Sequence, residues 1–72
     1  MKQIERETLA AAYATAWKAV KKTDCTVTAK PNGWFEVVHH SYHLNHRDNR
    51  RTDALLQGLF VLVTRLSEKV NA

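Results

Sequence analysis

The stretch that decides the fold is Lys30-Pro31-Asn32-Gly33 followed by Trp34-Phe35-Glu36-Val37-Val38-His39-His40-Ser41-Tyr42. Proline at the second position of a four-residue turn presets φ, asparagine tolerates the third position, and glycine can take positive φ at the fourth. Just upstream, Cys25-Thr26-Val27-Thr28-Ala29 alternates, with Cys25, Val27 and Ala29 on one face. Two alternating runs around such a turn predict a β-hairpin over about 25–43. In the return strand Phe35, Val37, His39 and Ser41 share one side, and Trp34, Glu36, Val38, His40 and Tyr42 the other. Placing Phe35 and Val37 in the core turns Trp34, His40 and Tyr42 outward; a slip of one residue would put Trp34 and Val38 inside instead.

A helical pattern runs from about 4 to 22. Leu9, Ala12, Tyr13, Ala16, Trp17 and Val20 fall on one arc, with alanines raising helix propensity. Glu5 and Glu7 suit the positive end of the dipole, and Lys18, Lys21 and Lys22 the negative end. A second helix is expected over about 50–70, beginning near Asn49 to Asp53 with Thr52 as a plausible N-cap. Its apolar arc of Leu55, Leu56, Leu59, Phe60, Leu62, Val63, Leu66 and Val70 is roughly 160° wide. Residues 43–49 read as a polar connection. The expected fold is therefore α+β, a single αββα domain over residues 1–72: two helices on a two-stranded antiparallel sheet.

A chain of 72 residues hides only about 60% of the surface its unfolded form exposes. Folds this small usually lean on disulfides, metals or self-association. With one cysteine, Cys25, no disulfide can form within the chain. A two-stranded sheet and one narrow alanine-rich helix leave part of the wide arc unmatched, with Leu62 and Phe60 at its edges. A homodimer is expected through Leu56, Leu59, Phe60, Leu62, Val63 and Leu66. The longest apolar run, Leu59 to Val63, is too short to span a bilayer, and no apolar stretch follows the first residues. A cytoplasmic protein is expected.

Eleven Lys and Arg against seven Asp and Glu give a net charge of +4, and the four histidines fall between residues 39 and 46. A charge of this size permits nucleic-acid binding without demanding it. The densest unusual feature is the run from His39 to Arg51. Metal ligation is one reading: His40, His43 and His46 are spaced by three, with Cys25 as a candidate thiolate. The spacing is no recognised finger pattern, and residues three apart on a strand face opposite ways, so no metal or other cofactor is expected. Catalysis is another. The histidines after a hairpin resemble the ββα-metal nucleases, but those need a histidine on the helix that follows, and none occurs after His46. No triad or phosphate loop is present, so no enzyme is expected.

The third reading is a binding surface. Arg47, Arg50 and Arg51 suit phosphates; Trp34, Tyr42, His40 and His43 can stack on bases; Lys18 and Lys22 add a basic cluster. Arg50 and Arg51 at a helix start would stand against the dipole, a placement that hints at a site. The order helix, strand, strand, helix with Arg50-Arg51 opening the last helix resembles in outline a double-stranded-RNA-binding domain. That fold has a third strand, a longer span and motifs not found here, so no family is assigned. The expected function is a small non-enzymatic nucleic-acid-binding accessory protein. The alternative is a protein-binding inhibitor or adaptor of phage or plasmid type, using the same surface against a nucleic-acid-handling partner.

Overall fold

The computed structural model describes residues 2–40 and 45–71, in the order α1 (Gln3–Lys21), β1 (Cys25–Ala29), a 3-10 turn (Pro31–Gly33), β2 (Trp34–His40), β3 (Asn45–Arg51) and α2 (Thr52–Asn71). The fold is α+β, but the sheet is three-stranded and antiparallel, in the order β1-β2-β3. This corrects the two-stranded expectation. The polar stretch read as a connection is most of β3, and Arg50 and Arg51 end that strand rather than opening the helix. The cause is that β2 would otherwise present an unpaired edge. β3 satisfies it with backbone alone, and its charged side chains blunt the new edge against further pairing. The third strand named above as missing is therefore present.

The turn forms as its residues require. Asn32 and Gly33 take φ of 63° and 78°, and the Lys30 N–H donates to the Trp34 carbonyl at 2.8 Å. Helix α1 ends with Lys22 in the left-handed region, its N–H donating to the Lys18 carbonyl. The hairpin register pairs Val27 with Val37 and Ala29 with Phe35; on the other side Phe35 pairs with Arg50, Val37 with Asp48 and His39 with His46. Directly opposed residues share a face. One face of the sheet thus carries Cys25, Val27, Ala29, Phe35, Val37, His39, His46, Asp48 and Arg50. The other carries Thr26, Thr28, Trp34, Glu36, Val38, His40, Asn45, Arg47, Asn49 and Arg51.

Both helices pack on the first face. The core comprises Leu9, Ala10, Tyr13 and Ala16 of α1, Phe35 and Val37 of β2, and Leu55 and Leu62 of α2. Ala10 takes the inward place expected of Ala12, which is exposed. Gly58 leaves no room for a side chain between α2 and its neighbours: a Cβ there would lie 3.0 Å from Cε2 of Tyr13 and 3.3 Å from Nη1 of Arg50. Among the described residues no helix is long and apolar enough to cross a membrane.

Candidate binding face on the open side of the sheet

With both helices on one side, the opposite side of the sheet is a platform with no layer over it among the described residues. Its most prominent feature lies at the hairpin-turn end. Arg51, opposite Trp34 in the register, places its guanidinium 4.6 Å from the centre of the Trp34 ring. Trp34 remains 37% exposed. Arg47 projects from the same side of β3, four residues or about 13 Å along the strand. Lys30 stands at the turn, and a cleft of about 380 Å³ is lined by Lys30, Pro31, Trp34 and Asn49. At the other end of the platform, Thr26 Oγ1 lies 2.9 Å from His40 Nε2, and His40 Nδ1 lies 3.2 Å from Asn45 Oδ1. That row ties the outer positions of all three strands together and occupies both ring nitrogens of His40.

The turn itself is fastened from below. Arg6, one turn into α1, donates through Nη2 to the carbonyls of both Lys30 and Trp34, the latter at 2.8 Å, and stacks 4.9 Å from the centre of the Phe35 ring. Arg6 is the positioning residue that sequence reading missed. No local pattern could have shown it, because its partners lie 24 and 28 residues away.

Arg50 does not belong to this surface. It projects to the helix side, where Nε meets Asp48 Oδ2 at 2.9 Å and Nη1 donates to the Tyr13 hydroxyl at 3.1 Å. Burial opposes its charge, yet the hydrogen bond to Asp48 and the neighbouring Tyr13 hold its pKa above the ordinary arginine value. Arg50, expected beside Arg47 and Arg51, is therefore set apart from them: alternation along β3 sends Arg47 and Arg51 outward and Arg50 inward. Lys18 and Lys22 are also not gathered at the site. They lie at the far end of α1, with Lys18 paired to Asp24 at 3.2 Å. Lys18 is twelve residues beyond Arg6, about 18 Å along the helix. Tyr42 and His43 lie outside the described residues.

Among the described residues the candidate metal ligands do not lie together. His40 is on the open side, whereas His46 and Cys25 are on the helix side, and among the described residues no three His, Cys, Asp or Glu side chains converge as ligands. Burial pushes the Cys25 thiol pKa up, only partly countered by Arg50.

His39 completes the helix-side layer by stacking on Trp17, with ring centres 4.0 Å apart. Burial lowers its pKa, Arg50 and His46 lower it further, and Asp48 opposes them. A lowered folded-state pKa means that the unfolded chain binds the proton more readily. The stability contributed by neutral His39 is present above the unfolded value of about 6.5 and is lost as pH falls towards the lower folded value. Urea unfolding at pH 7 and pH 5 should show the wild type losing stability on acidification, and His39→Phe should lose less. An equal loss in both would remove His39 as the cause.

No known family model matches this chain, and no curated protein or solved structure is significantly similar to it.

Proposed function

We propose that this is a small non-enzymatic nucleic-acid-binding accessory protein whose contact surface is the open face of its sheet. The observation that carries the reading is the pairing of Arg51 with exposed Trp34 on the uncovered side, with Arg47 on the same strand face. Arginine offers phosphate a planar fork of donors, and an exposed indole offers bases a stacking partner. Glu36 is the one acidic residue among the described positions of that face, against Arg47 and Arg51 with Lys30 at its edge.

Three phosphate contacts from Lys30, Arg47 and Arg51 imply that log K falls against log salt with a slope between about −2 and −3. Anisotropy titrations of labelled DNA and RNA over a salt series should show this. The double variant Arg47→Ala/Arg51→Ala should bring the slope to about −1 or less. Absence of binding at low salt would overturn the proposal. The second reading, a protein-binding inhibitor or adaptor, is favoured by the same pair, because tryptophan and arginine dominate protein hot spots.

We further propose that a second copy covers the free flank of α2. Leu56, Phe60 and Val63 are 45%, 73% and 51% exposed and follow one another at spacings of four and three, a single stripe on one helix flank. A stripe of this kind meets itself across a two-fold axis, so a copy of the chain is a self-consistent occupant. Leu59 and Leu66 are half-buried at its border. Leu62, expected in the same interface, is instead buried, with 4% exposure, and belongs to the core.

A further inference from the structure

Resting on the nucleic-acid reading above, we propose that the cleft beside Trp34 seats one unpaired base, so that the ligand is a single strand rather than a duplex. Inside a duplex the faces of the bases are already stacked on one another. An indole standing on an open protein surface can gain a stacking partner only from a base that has left that stack.

The cleft has the parts such a base needs. Trp34 lines the cleft and offers an aromatic surface; Arg51, outside the lining, holds its guanidinium 4.6 Å from the centre of the same ring, so the base stacks on the part of the indole that Arg51 leaves open. Pro31 supplies a rigid apolar wall. Asn49 brings an amide with both donor and acceptor capacity, which can match the edge of any base. Lys30 stands at the rim with an ammonium suited to the phosphate attached to that nucleotide. The depression is shallow and open to solvent, so it would hold a base by one face and one edge rather than enclose it.

The cleft is also built in advance. Its floor is the turn whose two end carbonyls, Lys30 and Trp34, are both bonded by Arg6. Asn49 is held by the β2–β3 register, opposite Glu36. A base entering this cleft orders little protein backbone, which removes one of the main costs of binding. Arg47, farther along the same strand face, extends the basic track away from the cleft and meets a neighbouring phosphate of the same strand.

The test compares a labelled twelve-nucleotide oligo(dT) and oligo(rU) with hairpin duplexes of DNA and RNA at one low salt concentration. The proteins are wild type, Trp34→Ala and Trp34→Phe. Single strands should bind at least tenfold tighter than either duplex. Trp34→Ala should weaken single-strand binding roughly 5- to 150-fold, as loss of one base–aromatic stack does, while Trp34→Phe retains most of it. Duplex affinity should be unchanged by either substitution. Trp34 emission should also be quenched on adding oligo(dT), in a Trp17→Phe background that leaves one indole to report. Duplex binding as tight as single-strand binding, or indifference to Trp34→Ala, would overturn the base cleft while leaving nucleic-acid binding standing. Failure of every probe to bind would overturn both.

Discussion

Arg50→Ala should cost the fold about 2–3 kcal/mol in urea unfolding, whereas Arg51→Ala next to it should move stability by no more than about 0.5 kcal/mol. Two adjacent arginines of one strand would then do opposite things. Arg50 has a side chain 28% exposed, and its guanidinium bridges Asp48 on β3 to the Tyr13 hydroxyl on α1. It is the polar link between the third strand and the helical layer, and Tyr13 itself is only 2% exposed. Removing the guanidinium deprives the buried Tyr13 of this donor, and a hydrogen bond to a charged group carries about 1.5–3 kcal/mol, whereas the pair with half-exposed Asp48 is screened by water and adds little. Arg50→Lys should recover only part of the loss, because an ammonium lacks the fork that reaches both partners. On the proposed function Arg51 bears on binding instead. Its guanidinium sits over an exposed ring, so its loss should weaken nucleic-acid affinity and leave the unfolding midpoint where it was. Equal destabilisation by both alanine variants would contradict the inward and outward assignment along β3.

That assignment marks where the sequence stopped being readable. The helix of α1, the Pro31-Asn32-Gly33 turn and the inward placement of Phe35 and Val37 follow from periodicity and turn chemistry, because each is stated by residues near one another. β3 is not, since Asn45-His46-Arg47-Asp48-Asn49-Arg50-Arg51 has no apolar alternation at all. Its two faces differ in what they touch, not in how polar they are. What makes it a strand is the open edge of β2, a tertiary fact, and this overrides the low strand propensity of its residues. The same gap explains the sites. Strand alternation places Trp34, Arg47 and Arg51 on the open side and Arg50 on the helix side, which the unpatterned run 45–51 does not announce, and the role of Arg6 depends on the packing of α1 against the turn.

The other large effect concerns the two edges of the apolar arc on α2. Leu62→Asp should abolish folding, whereas Phe60→Asp should leave the secondary structure intact and turn a dimer into a monomer. Leu62 is 4% exposed, so the substitution forfeits about 2–5 kcal/mol of packing and buries a carboxylate besides. A domain of 72 residues has only about 4–11 kcal/mol of total stability at ordinary values per residue. Phe60 is 73% exposed, so its removal costs the protomer little. In a two-fold pairing of the Leu56, Phe60 and Val63 stripe, however, the carboxylate introduced on each copy would be carried into an apolar contact on the other, and the pairing would fail. Circular dichroism separates the first variant from the second, and sedimentation equilibrium separates the second from wild type. A wild-type protein that stays monomeric at high concentration, or a Phe60→Asp variant that still sediments as a dimer, would show that this flank is not where two copies meet. The base cleft would be unaffected, because Trp34 and Asn49 lie on the opposite layer of the molecule.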